Sequence, residues 1–307
     1  MLPSSSPQSA AFRPSLTPAS RWSRTAISAL VAVLALSLTA CTGADSTANP
    51  ATATDETTAT AGYPTGHIHG MSVDPGTNRI LLATHDGLFD VSSSPAQQIG
   101  PTIDLMGFTT TTDGTLYASG HPGPGTDLPD PVGLITSTDD GRTWEPVSRQ
   151  GKTDFHALAA TEDGLVGHEG RIVTSTDGRS WTVTNEDIPA YNLSASTAGI
   201  VLATTEDGPY RSEDSGVTWA PVSGAPVLIL TTFAGDTAIG VTPDGVIHTS
   251  ADGGLTWEQK GTIEGEPAAI AAAHTNDDTH RIWVGTADGI QVSSDNGSTF
   301  APLTPKS

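Results

Sequence analysis

One cysteine, Cys41, stands in a chain of 307 residues. Neither an internal disulfide framework nor a cysteine-based zinc knot can be built from it. Basic residues are scarce too: 13 Lys and Arg face 34 Asp and Glu, a formal net charge of −21. Such a surface repels nucleic acid and anionic lipid, which excludes nucleic acid as a partner. No stretch after residue 64 shows a sustained helical period, which excludes a helical core. Only one long apolar run occurs, Ala26 to Thr39, and it lies near the start.

That run has the features of an export signal. Arg21 and Arg24 form a basic lead-in, and Leu38-Thr39-Ala40-Cys41 matches a bacterial lipobox. A signal of this form is cut before the cysteine, so residues 1–40 are no part of the fold. The expected outcome is a lipid on Cys41 that holds the chain on the outer face of the cytoplasmic membrane. Residues 41–64 add an Ala/Thr-rich stretch that cannot bury a core and is expected to act as a tether. As a flexible coil it would span roughly 25 Å. Residues 65–305 remain for one large all-β domain.

What is abundant in that domain is repetition. S-E-D-S-G-V-T-W (Ser212–Trp219) recurs as S-T-D-D-G-R-T-W from Ser137, S-A-D-G-G-L-T-W from Ser250 and S-S-D-N-G-S-T-F from Ser293. A copy one residue shorter, S-T-D-G-R-S-W, starts at Ser175. The aspartates Asp139, Asp177, Asp214, Asp252 and Asp295 are 38, 37, 38 and 43 residues apart. A short Asp/Gly turn between alternating apolar segments signals a hairpin. The aspartate is expected to close an Asx-type turn on backbone N–H groups two residues on. The glycine supplies positive φ, and the aromatic starts the next strand.

Each repeat has the same order of four strands, with a second turn between its second and third strands. Six such units fit, the first carrying S-S-S-P-A-Q-Q (92–98) in place of the Asp hairpin. Six four-stranded antiparallel units of about 40 residues predict a six-bladed β-propeller, with seven blades as the alternative. Ring closure is expected either by packing alone or by an edge strand from residues 62–66.

The S-x-D-x-G-x-x-W repeats resemble the Asp-box, or BNR, repeats of sialidases, sortilin-type receptors and photosystem assembly propellers. Within that group the chain is similar to exported bacterial lipoproteins loosely labelled glycosylhydrolase-like. H-I-H-G-M (67–71), T-H-D-G-L-F (84–89), D-L-M-G-F (104–108), S-G-H-P-G-P-G (119–125) and D-F-H-A-L (154–158) carry this closer likeness. The label implies a glycan-cleaving enzyme, but whether the chain is an enzyme stays open. Sialidase chemistry needs three convergent arginines, and Arg142, Arg179 and Arg211 belong to or adjoin hairpin turns. Another glycosidase could use two carboxylates, yet no pair stands out by spacing.

Histidine placement is more informative. Six of nine histidines fall at two places in the repeat, all in the first three units. His67 and His69 lie in the first inner strand. Asp104 and Met106 hold the corresponding positions in the second unit, and Asp154 and His156 in the third. Residues two apart share a strand face, so each pair is expected to project together. The turns after the second strands carry His85, His121 and His168, against Glu206, Pro243 and Ala287 in later units. Antiparallel pairing puts both sets at one mouth of the central channel. The insertion Pro122–Pro131 leaves from the same turn and is expected to lie over or beside that mouth.

Imidazoles with carboxylates and a thioether form a ligand set for a transition metal, copper or zinc. The best set is His67, His69, His85, His121 and His156. Asp104, Met106 and Asp154 are secondary ligands or groups that hold ring tautomers, and His168 is the weakest member. The competing reading is that the histidines satisfy turn backbone and Met106 packs in the core. His248, His274 and His280 lie elsewhere and are expected at the surface. Tyr63, Phe108, Phe155 and Tyr191 lie near the mouth, for stacking on a sugar or peptide or for packing between blades. Two functional readings without a metal also stand: a glycan-cleaving enzyme working through Asp104 or Asp154, and an assembly factor that grips a protein partner.

Overall fold

The computed structural model describes residues 63–64, 66–74, 76–275 and 279–304. The leader, Cys41 and most of the tether lie outside these residues. Within them the alternating runs become strands that form six four-stranded antiparallel sheets. Blade 1 comprises β1 (Ile68–Asp74), β2 (Arg79–Thr84), β3 (Gly87–Asp90) and β4 (Gln97–Ile99). Blade 2 comprises β5 (Ile103–Thr110), β6 (Leu116–Pro122), β7 (Leu134–Ser137) and β8 (Glu145–Ser148). Blade 3 comprises β9 (Ala157–Thr161), β10 (Gly164–His168), β11 (Ile172–Ser175) and β12 (Thr182–Asn185). Blade 4 comprises β13 (Asn192–Ala195), β14 (Val201–Thr204), β15 (Tyr210–Ser212) and β16 (Ala220–Pro221). Blade 5 comprises β17 (Leu230–Ala234), β18 (Thr237–Val241), β19 (Val246–Ser250) and β20 (Glu258–Thr262). Blade 6 comprises β21 (Ala269–His274), β22 (His280–Thr286), β23 (Gly289–Ser293) and β24 (Ala301–Pro302). This is the six-bladed β-propeller, and the seven-bladed alternative is set aside.

Both faces of each blade pack on a neighbour, so the second strands read as nearly unbroken apolar runs. In β2 every residue from Ile80 to Thr84 is buried, and β22 repeats this from Ile282 to Thr286. The outer strands, such as β4 and β16, face solvent. The core is therefore divided into clusters at the seams between blades. Leu81, Ala83 and Leu88 of blade 1, for example, pack on Ile103, Leu105 and Leu116 of blade 2.

The ring closes by packing. Inner strand β1 lies against β21, and Ile68, Ile80 and Leu82 join Trp283, Ala269 and Ile290 in one cluster. Arg281 adds a 2.9 Å hydrogen bond to Asn78 Oδ1 across the same seam. Among the described residues of 62–66 no strand forms, so the edge-strand alternative fails there. Tyr63 instead packs on the closing cluster.

The Asp hairpins join the third and fourth strands at the end of the ring opposite the histidines. Their bonding differs from the expected two-residue Asx turn. Asp139 Oδ1 accepts from Thr143 N at 2.9 Å, four residues on, and Oδ2 from Thr143 Oγ1 at 2.7 Å. Ser137 Oγ donates to Asp139 and accepts from Gly141 N at 2.8 Å. Asp214, Asp252 and Asp295 repeat the four-residue reach. Among these hairpins the two-residue contact occurs in the shortened copy, from Arg179 N to Asp177 Oδ1 at 2.7 Å. Gly141 has φ 83°, and a Cβ there would stand 2.2 Å from Leu88 of the preceding blade. The motif therefore wedges each blade that carries it against the one before.

Candidate functional site

The inner strands surround an axial channel of about 1560 Å³. His69, Met106, His156 and His168 line it. His67, His85, Asp104, His121 and Asp154 form a rim outside them, since none of these five lines the channel. The backbone explains the inner positions. Pairing between β1 and β2 slips between Ile68 and Gly70, which leaves His69 as the extra residue of a bulge. Pairing between β5 and β6 slips between Leu105 and Gly107, which leaves Met106 at the same place one blade on. A bulge re-aims a side chain. The expectation that residues two apart project together along a regular strand is corrected by these bulges.

The rim is assembled across seams. His85, in the turn after β2, places Nδ1 2.7 Å from Asp104 Oδ1 on β5. Asp104 Oδ1 is buried, has no hydrogen bond among the described residues, and has this His85 nitrogen as its close polar neighbour. His85 also packs edge-on against His69, centroids 4.5 Å apart, and against His67 at 5.4 Å. His69 Nε2 is buried and likewise has no hydrogen-bond partner there. Donor atoms of His69, His85 and Asp104 all lie within 4.8 Å of one another. Burial, and then the neighbouring His85, push the His69 imidazole below its ordinary value, which keeps a lone pair available.

One blade further on the pattern recurs. His121 Nε2 lies 3.4 Å from Asp154 Oδ2, and His156 Nε2 lies 3.5 Å from the same oxygen. His121 Nδ1 is 2.7 Å from Asp130 Oδ1, a contact that raises the imidazole above its ordinary value. Asp130 was not singled out from sequence. Its only signal there is its place in the Pro/Gly insertion that leaves from His121. That insertion lies beside the mouth: Leu128 packs on the seam of blades 1 and 2, and no residue of 123–131 lines the channel.

The remaining candidates sort as follows. His168 is half-buried and hydrogen-bonds the Ile188 backbone, and burial lowers its imidazole. It faces the channel but joins neither cluster. His67 is exposed, packs edge-on to His85 and helps lower the His69 imidazole. Met106 is half-buried against the channel, which corrects the core-packing alternative. His248 and His280 are half-buried, His274 is exposed, and His280 stacks on His274 at 5.1 Å. Phe155 is fully buried, and Tyr63 and Phe108 pack into seams. Of the four aromatics only Tyr191 is exposed at the channel. Among the described arginines only Arg79 lines the channel, at the far end, where it pairs with Asp90 and Asp140.

No protein-family profile and no curated protein matches the chain. Solved structures do match. A gluconolactonase-like propeller is 13% identical with a TM-score of 0.56, over 78% of this chain and 91% of that one. The Niastella koreensis GH74 enzyme is 17% identical with a TM-score of 0.55, over 78% of this chain and 37% of that one. The extracellular domain of BT4673 from B. thetaiotaomicron is 14% identical with a TM-score of 0.52, over 78% and 33%. The chain thus spans about a third of the length of the last two. At these identities the likeness establishes the propeller fold, which hosts many functions.

Proposed function

We propose that this protein is an exported binding propeller whose mouth captures a divalent transition-metal ion at His69, His85 and Asp104. The observation that carries this reading is a pair of orphaned atoms in one place. His69 Nε2 and Asp104 Oδ1 are both buried, both lack a hydrogen-bond partner among the described residues, and both lie in the same 4.8 Å donor group with His85. An unsatisfied buried polar atom costs about 1–3 kcal/mol. A cation held between the two offsets both costs. Two imidazoles and a carboxylate suit zinc or copper(II). Three protein donors leave a fourth position open, the pattern of an exchangeable site rather than a closed structural one. His67, edge-on to His85, helps hold that ring.

Full-length protein in detergent, titrated with zinc against a chromophoric chelator, tests the reading. His69→Ala/His85→Ala weakens zinc at least about tenfold, as losses around metal sites do. Equal affinity of variant and wild type would overturn it.

The lipobox supports delivery to the outer face of the membrane through Cys41. Cys41→Ala is expected to shift the protein from the membrane fraction to the soluble one. Unchanged membrane association on extraction at high salt would contradict anchoring through that residue.

A further inference from the structure

We infer that the seam joining blade 6 to blade 1 holds a site for a small aliphatic monocarboxylate, with Arg281 as its anion-binding group. The site lies at the end of the ring opposite the histidine mouth and does not depend on the metal reading.

This seam differs from every other in what blade 1 brings to it. Blades 2 to 6 each set a hairpin glycine against the blade before, as Gly141 is set against Leu88 and Ile99 of blade 1. Blade 1 carries S-S-S-P-A-Q-Q in place of the Asp hairpin and has no glycine there to set against blade 6. Leu303 is the blade 6 counterpart of Ile99, since Ile99 pairs with Leu88 and Leu303 N donates to Ile290 O. It stands on a pocket of about 240 Å³. Arg281, Trp283, Leu303 and Thr304 of blade 6 and Asn78 and Ile80 of blade 1 line this pocket.

Arg281 is the blade 6 counterpart of Arg79. Ala83 pairs with Leu88 in blade 1 and Gly285 with Ile290 in blade 6, so the arginines four residues before Ala83 and Gly285 correspond, and Val292 stands where blade 1 has Asp90. Arg79 is held by two carboxylates: Nε donates to Asp90 Oδ2 at 2.9 Å, and Nη1 lies 3.1 Å from Asp140 Oδ2 on the hairpin of blade 2. Arg281 has neither, because Val292 replaces the first and blade 1 lacks the hairpin that would supply the second. Its Nη1 donates instead to the neutral Asn78 Oδ1 at 2.9 Å, and its Nε is buried with no hydrogen-bond partner among the described residues. Acidic residues outnumber basic ones 34 to 13, so a guanidinium without a carboxylate is no matter of shortage. The planar guanidinium matches a carboxylate in shape and charge. Trp283, 4.9 Å below it, fixes its plane, and Ile80, Trp283 and Leu303 give the pocket an apolar wall. An apolar wall with one oriented polar group suits a small amphipathic ligand. The carboxylate sits at Arg281 as Asp140 sits at Arg79, and a short alkyl tail covers the wall.

The test is calorimetric titration of full-length protein in detergent with butyrate, and with butyramide as the neutral analogue of the same shape. Salt at about 0.15 M screens the acidic surface. Butyrate binds saturably and raises the melting temperature, since a ligand of the native state stabilises it. Butyramide binds at least about tenfold more weakly, the scale of a lost charge-assisted hydrogen bond. Arg281→Gln lowers butyrate affinity at least about tenfold on the same scale. Val292→Asp gives Arg281 the carboxylate that Arg79 has in Asp90, and it also weakens butyrate. Thermal melting checks that each variant is folded, and zinc affinity at the mouth stays at the wild-type value in both. No saturable binding of butyrate to wild type overturns the site, as does equal binding of butyramide. Butyrate affinity unchanged in folded Arg281→Gln overturns it too. Should Arg281→Gln fail to fold, unchanged affinity in Val292→Asp has the same force.

Discussion

At the scale of the residue, the decisive features are single extra residues and single carboxylates. His69 faces the channel because it is the surplus residue of a bulge, and a sequence pattern of alternation has no symbol for a bulge. The histidines, Asp104 and Met106 were legible as outliers in the repeat, but their aim was not. The hairpin aspartates were legible as folding groups, and their hydrogen bonds bear this out. Thr143 holds Asp139 down to about 2 from an ordinary 3.8, Ser180 does the same for Asp177, and Thr299 for Asp295. A depressed carboxyl contributes stability that is present above its unfolded value and lost as pH falls through its folded one. The melting temperature is therefore expected to be insensitive to these groups above pH 3.8 and to fall steeply from there toward pH 2. Asp295→Asn should lower the melting temperature at neutral pH and flatten the acid limb. An acid limb identical to wild type would show that these bonds do not support the hairpin.

At the scale of the element, the blade and its seam are the units that matter. The repeat frame anticipated six units of four antiparallel strands, and the sheets follow it. It also placed both histidine sets at one end, since Asp104 pairs with His121 across the β5–β6 ladder. What it did not reveal is that the turn histidine of one blade meets the inner-strand acid of the next. Aligning repeats compares like with like, whereas His85–Asp104 and His121–Asp154 join unlike positions in neighbouring units. Asp130 was missed for a related reason, because insertions have no counterpart in the alignment. The closing seam depends on packing without a shared strand. Trp283, 2% exposed, stacks under Arg281 at 4.9 Å and fills the cluster that joins blade 6 to blade 1. Trp283→Ala is expected to cost about 3–5 kcal/mol, the range for deleting a buried large aromatic. A loss under 1 kcal/mol in urea unfolding would mean that the ring is closed by something other than this cluster.

At the scale of the whole molecule, a near-regular ring carries an irregular face. Five of the six blades share one hairpin motif at one end, while at the other end only blades 1 to 3 carry histidine in the turn. The symmetric end is accounted for by folding. The asymmetric end is not, because His69 Nε2 and Asp104 Oδ1 are buried there without hydrogen bonds. Buried polar atoms in native structures nearly always have hydrogen-bond partners, which is why the proposed ion is placed at these two. The acidic surface suits cation capture, as the protein's field concentrates cations near it. The most direct measurement is anomalous diffraction at the zinc edge from crystals of zinc-loaded protein. The account predicts a peak about 2.0–2.2 Å from donor atoms of His69, His85 and Asp104. A zinc-loaded crystal with no peak at those three residues would contradict it.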